Sequence, residues 1–163
     1  LIRLIINYGD AKIKISEKEK ISVSEFIISE LDSDSIRFSI TLFNNILEEV
    51  KNHLDSENPF SKDYFLNHTE QTVRSLTEQI IGEQHFLGNW KNKDIIVLEE
   101  KDILLEVTRE SILRFKLHRV QEMVKDALLK LKNDSHDNEE NLNQFTRLNQ
   151  LEKKIQKELG RLF

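Results

Sequence analysis

Leu113, Leu117, Val120, Val124, Ala127 and Leu131 fall at spacings of four, three, four, three and four, the a/d alternation that turns one stripe of a helix toward a neighbour. A helix with that stripe needs a partner. The polar run from Asn133 to Asn138 interrupts the pattern, after which Leu142, Phe145, Leu148, Leu151, Ile155, Leu159 and Leu162 resume it. The partner is therefore expected in the same chain, as a hairpin of two long helices. Asp137 with Glu140 has the form of a capping box and Gly160 stands where a C-terminal glycine belongs. From Leu113 to Leu131 is roughly 27 Å of helix at about 1.5 Å per residue, which predicts a hairpin that projects from a body of this size.

The rest of the chain reads as that body. With 163 residues there is room for one bundle with a core plus an appendage. One proline and four glycines, against abundant Leu, Ile, Glu, Lys and Asn, predict an all-α fold: a helical bundle over residues 1–112 followed by the projecting long-helix hairpin over 113–163, with the long helix from about 101 shared. There is no cysteine, hence no disulfide and no thiolate metal site. Without a signal-like segment or an apolar run near 18 residues, the expectation is a soluble cytoplasmic protein with no membrane partner. The chain opens inside an apolar helical pattern and its only methionine is Met123, which predicts a piece of something longer.

Charge is uneven. Residues 1–100 hold 11 Lys and Arg against 18 Asp and Glu, whereas 101–163 hold 13 against 11. An acidic body with a near-neutral hairpin lacks the clustered positive surface that phosphate binding needs.

In chain order, the first helix ends at Tyr8 and Gly9, where a left-handed cap is expected. Ala11 to Ile15 alternates for five residues and reads as a short extended connector. Ser22 or Ser24 caps a helix with Val23, Phe26, Ile27 and Leu31, stopped by Asp32-Ser33-Asp34-Ser35. A third helix, from about Thr41 to Leu54, gathers Leu42, Phe43, Ile46, Leu47, Val50 and Leu54 on one side. Pro59 breaks the chain. Ser61 starts a short turn through Leu66, and Thr69 caps a helix with Val73, Leu76, Ile80 and Ile81 that ends near Gly82. Trp90 is expected as a core plug. Ile95 to Leu98 has a strand-like composition, but with only Ile13 and Ile15 as pairing partners it is expected to lead extended into the long helix.

The chemistry of sites is sparse. Five histidines, His53, His68, His85, His118 and His136, are spread one per element without metal-ligand spacing. Asp32 and Asp34 follow an amphipathic helix instead of ending a buried strand, so they read as a solvated loop, not a magnesium pair. No nucleophile elbow and no phosphate-cradling glycine loop occurs. No catalytic residue, cofactor or metal site is expected. Arg114, Lys116, His118 and Arg119 form the one basic cluster, and they surround Leu113, Phe115 and Leu117 on several sides of a helix. Solubilising charges with local pairs such as Arg119 to Glu122 account for them best. Leu162 and Phe163 either fold back on the hairpin or are offered to a partner.

Taken together, these residues resemble a known family. Arg3-Leu4-Ile5-Ile6-Asn7-Tyr8-Gly9, Glu25-Phe26-Ile27, Tyr64-Phe65-Leu66-Asn67-His68, Trp90, Arg114-Phe115-Lys116 with Arg119-Val120-Gln121, and Lys157-Glu158-Leu159-Gly160 are similar, in order, to positions of the C-terminal region of bacterial DNA primases of the DnaG type, in a Bacteroidetes-like form. Each motif alone is weak; their colinearity over essentially the whole chain makes the resemblance. It implies a helical bundle and hairpin that dock a primer-synthesising enzyme onto the N-terminal domains of the hexameric replicative helicase at the replication fork. The zinc-binding and magnesium-dependent polymerase parts of such a primase are not in this segment, so the segment itself is not expected to be an enzyme or to touch nucleic acid.

The mechanism so implied is tethering: a hairpin seated in a helicase groove raises the local concentration of primase at unwound template. The nominated contact residues are Phe145, Leu148, Leu151, Ile155, Leu162 and Phe163, with Lys153, Lys154 and Arg161 as polar neighbours. Some of these must instead pack the hairpin against Val120, Val124 and Leu131. Two other readings stand beside this one. The helicase's own N-terminal domain would self-associate into a ring, and a helical nucleic-acid-binding module using Arg114, Lys116 and Arg119 would lose binding steeply with salt. An unsatisfied hairpin face also allows homodimerisation of the isolated segment.

Overall fold

The computed structural model describes residues 1–54, 61–84, 100–133 and 138–160. Trp90, Ile95 to Leu98, Asn58 with Pro59, and the Asp137 cap lie outside the described residues. The fold is all-α with one small sheet: α1 (Ile2–Tyr8), β1 (Lys12–Lys14), β2 (Lys20–Ser22), α2 (Val23–Ser33), α3 (Thr41–Leu54), α4 (Lys62–Leu66), α5 (Gln71–Gln84), a 3-10 turn (Glu100–Ile103), α6 (Leu104–Asn133) and α7 (Asn138–Glu158). Two compact units result, Leu1–Thr108 and Arg109–Phe163. The division falls within α6, a few residues before the expected boundary between 112 and 113.

In the first unit α1 is the centre. Ile2, Leu4, Ile5 and Ile6 are all buried, and a short helix apolar nearly all round must be enclosed. It packs against α2, α4 and α5. Val23, Ile27 and Leu31 of α2, Ile46, Leu47 and Val50 of α3, Phe65 of α4 and Val73 of α5 complete the core. Two threonines are also fully buried. Thr77 donates its hydroxyl to the Val73 carbonyl at 2.8 Å and Thr108 to Leu104 at 2.7 Å, the back-bonding that lets a helix bury a hydroxyl.

Two local expectations are corrected. Ala11 to Ile15 is not a lone connector, because Lys12–Lys14 pairs antiparallel with Lys20–Ser22, Ile13 opposite Ile21. The partner strand was hidden because it is short and runs straight into a helix cap. Gly9 is right-handed, with φ −56° and ψ −35°, because the chain turns through Asp10 into β1 instead of closing a left-handed cap. Other local signals are met: of the two candidate caps Ser22 is the one used, in a reciprocal box with Glu25, α3 spans Thr41–Leu54, and Gly160 is left-handed at φ +67°. The long helix α6 runs without a break through Phe115.

Salt links tie distant parts of this unit together. Arg3 donates to Glu100 at 2.8 Å, bringing the 3-10 turn to α1. Lys51 and Arg37 hold Asp32 at 2.7 and 3.3 Å. Those cations keep the Asp32 carboxyl below its ordinary range, the Lys51 hydrogen bond most of all, and they make Asp32 an ion-paired residue of the body.

Candidate docking surface

His68 is buried, its Nε2 lies 2.9 Å from Glu49 Oε2, and its Nδ1 accepts the Glu70 backbone N–H at 3.1 Å. That pair of bonds requires the tautomer protonated on Nε2. Tyr64 reaches the same carboxylate at 3.4 Å, and burial, then the Glu49 charge, pushes the phenol up. Both imidazole nitrogens are engaged, so His68 ties α3 to the α4–α5 turn and is unavailable as a base or ligand. No group of three or more His, Asp or Glu among the described residues could hold a metal.

The second unit is a hairpin with a narrow seam. Leu117 and Val120 of α6 pack with Ile155 of α7, and Leu113, Val124 and Leu159 border them. Gln121 donates to Glu152 at 3.0 Å across the helices, and Gln156 donates to the same oxygen at 3.0 Å. Ala127 and Leu148 are buried as well.

Against this frame the nominated residues divide. Leu148 and Ile155 are only 8% and 7% exposed, so they belong to the hairpin's interior and are not free to meet a partner. Phe145 is half-buried, while Leu151, Lys153 and Lys154 are exposed. Arg161, Leu162 and Phe163 lie outside the described residues. Leu142, expected on the seam, is 54% exposed. At about 100° per residue it sits far around α7 from Leu148.

Large apolar residues beyond the nominated set also lie on the outside of the same two helices. Met123, Leu128 and Leu129 of α6 join Leu142 and Leu151 of α7 as exposed large apolar residues, Leu129 at 57%. Three of them, Leu128, Leu129 and Leu142, stand near the end where α6 gives way to α7. A signal for them was present. With Ala127 and Leu131 both on the seam, the intervening Leu128 and Leu129 cannot be there too.

The basic cluster is largely neutralised on its own helix. Arg114 Nε donates to Glu110 at 3.0 Å, and Arg119 pairs with Glu122. Lys116 is half-buried and His118 exposed. No helix among the described residues is long and apolar enough to cross a membrane.

Residues 1–162 match the family described as a domain of unknown function, DUF8430. No curated protein and no solved structure matches the chain.

Proposed function

Starting from the chain's membership of the DUF8430 family, we propose that it is a helicase-docking module, the part of a DnaG-type primase that holds the enzyme on the replicative helicase. The observation that carries the reading is the exposed apolar set Met123, Leu128, Leu129, Leu142 and Leu151 on a two-helix unit whose own seam is already filled. Scattered single apolar side chains are ordinary on a surface; several on one small unit are a reason to expect a partner. The colinear resemblance to the primase C-terminal region supplies the partner's identity, and helix-in-groove recognition supplies the mode.

The proposed contact set changes accordingly. Leu128, Leu129 and Leu142 near the turn end of the hairpin enter it, Leu151, Lys153 and Lys154 remain as a separate patch because Leu151 stands about 180° around α7 from Leu142 at about 100° per residue, and Leu148 and Ile155 become the support that keeps both helices in register. Nucleic-acid binding is disfavoured because Arg114 and Arg119 are paired with Glu110 and Glu122. The module acts by tethering, and whatever bias it puts on the helicase ring requires contacts that differ between ring conformations.

Calorimetric titration of the chain into the replicative helicase from the same organism tests this. Binding is expected, and Leu129→Glu or Leu142→Glu should weaken it by about tenfold or more while leaving the circular dichroism spectrum unchanged. Absence of binding by the unaltered chain, or equal binding by both variants, would overturn the reading. Steeply salt-dependent binding to single-stranded DNA in its place would favour the nucleic-acid class.

A further inference from the structure

The two ring nitrogens of buried His68 do opposite jobs. Nε2 donates to the Glu49 carboxylate at 2.9 Å, and Nδ1 accepts the Glu70 backbone N–H at 3.1 Å. Glu70 stands at the entrance to α5: its carbonyl takes the Arg74 N–H at 3.2 Å, and its carboxylate accepts the Thr72 hydroxyl at 2.7 Å. The imidazole therefore bridges α3 to the start of α5. A neutral ring can do this because it carries one donor and one acceptor. A protonated ring has two donors and no acceptor.

The groups around the ring decide what a proton does there. From α3 the Glu49 carboxylate faces Nε2 and can hold a charged ring. From α4 the Tyr64 phenol shares that carboxylate at 3.4 Å; its ring meets His68 edge-on at a centroid distance of 5.7 Å and His53 of α3 at 4.6 Å. From α5 the Arg74 guanidinium donates to the backbone carbonyls of His68 and Thr69. These contacts differ in what they need. Glu49 accepts an N–H from either protonation state and binds the charged one more strongly. Arg74 uses main-chain oxygens and is indifferent to the ring. Among these bonds only the one from Glu70 requires a lone pair on Nδ1, and in the charged ring it meets a second N–H instead, so that two donors face each other without an acceptor.

We infer that His68 is an acid-operated latch: protonation keeps the ring on Glu49 as an ion pair and releases the Glu70 N–H, which frees the first turn of α5 from α3. Arg74 still holds the two carbonyls before that turn. The release is therefore confined to the entrance of α5, and the core around α1 stays closed. The latch lies wholly in the first unit and stands whether or not the hairpin docks a helicase.

Nuclear magnetic resonance of the isotope-labelled full chain, titrated from about pH 8 to about pH 5 across the range in which imidazoles titrate, tests it. The ring nitrogen shifts of His68 are expected to show the tautomer protonated on Nε2 at the start and the doubly protonated ring at the end. As the ring gains its proton, the protection of the Glu70 amide against hydrogen exchange, corrected for the intrinsic pH dependence of exchange, should fall by about tenfold, the worth of one ordinary hydrogen bond. The amides of Ile5 and Ile27 should keep theirs. His68→Gln, whose side-chain amide does not titrate, should hold the Glu70 protection constant over the whole range, and His53→Gln should respond as the unaltered chain does. The inference is overturned by the opposite tautomer at the start, by a ring still neutral where the chain unfolds, or by Glu70 protection that survives ring protonation. The same fall in His68→Gln, its loss in His53→Gln, or a simultaneous fall at Ile5 and Ile27 would also overturn it. The unaltered chain decides the matter by itself should a variant not fold.

Discussion

The two units solve the burial problem differently. In Leu1–Thr108 the core residues Ile5, Val23, Ile27, Ile46 and Phe65 are completely enclosed, because α2, α4 and α5 all pack against α1. In Arg109–Phe163 two helices share one seam, and the buried side chains Leu117, Val120 and Ile155 each keep a few per cent of their surface. Two helices cannot surround anything. Of the large apolar residues left exposed among the described residues, Ile40 alone belongs to the first unit; Met123, Leu128, Leu129, Leu142 and Leu151 belong to the second. A unit that cannot enclose its own side chains is suited to contribute them to another molecule's surface.

The contrast can be tested by substitution. Phe65→Ala should be the most damaging change, about 3–5 kcal/mol, since its ring is fully enclosed and also meets Tyr64 edge-on at 5.3 Å; urea denaturation of the full chain measures it. Ile155→Ala should cost about 2 kcal/mol, the low end for such truncations, because an open seam can relax around the gap. Hydrogen exchange should locate that loss in α6 and α7 and leave α1 to α5 protected; equal loosening of both units would mean that they unfold as one.

Smaller effects separate polar from apolar support. His68→Ala removes the partner of Glu49 and of the Glu70 N–H, and should cost about 1–3 kcal/mol by chemical denaturation. Acid should act on the first unit through three carboxylates. The Ser22 backbone N–H holds Glu25 below its ordinary range, Lys51 does so for Asp32, and Arg3 for Glu100. A carboxylate whose folded-state pKa is depressed contributes stability that is present above its unfolded-state value and lost as pH falls through the folded-state value. Thermal melts should therefore be insensitive to these groups near neutrality and fall on acidification below the ordinary carboxylate range. Asp32→Asn should flatten part of that fall. Leu129→Gln and Leu142→Gln should be the least disruptive to folding, within about 0.5 kcal/mol, so any effect of theirs on partner binding is a surface effect.

The elements most legible in the sequence were those governed by local rules. The cap before Val23, read as Ser22 or Ser24 and found at Ser22, the Thr41–Leu54 periodicity and the glycine at 160 each depend on a few neighbours, and each is seen. The hairpin was legible as a repeat, yet the repeat could not say which positions face inward once two registers compete. Leu142 and Leu151 continue a plausible spacing on paper but stand about 120° and 60° around α7 from Leu148 at about 100° per residue. The β1–β2 pair was missed because three residues per strand carry too little alternation to separate a hairpin from a connector. The Glu49 and His68 contact joins residues nineteen apart, a distance over which no helical or strand period operates. The cavity between β1 and the run Lys101 to Glu106 likewise joins residues nearly ninety apart in the chain.

In the proposed complex the second unit meets the partner with the outside of its helices while the first stays closed. Hydrogen exchange of the full chain, read by mass spectrometry with and without saturating replicative helicase, tests it most directly. Slowed exchange over residues 123–151 and unchanged exchange over α1 to α5 are expected. Exchange that is unchanged throughout, or slowed in α1 to α5 alone, would contradict it.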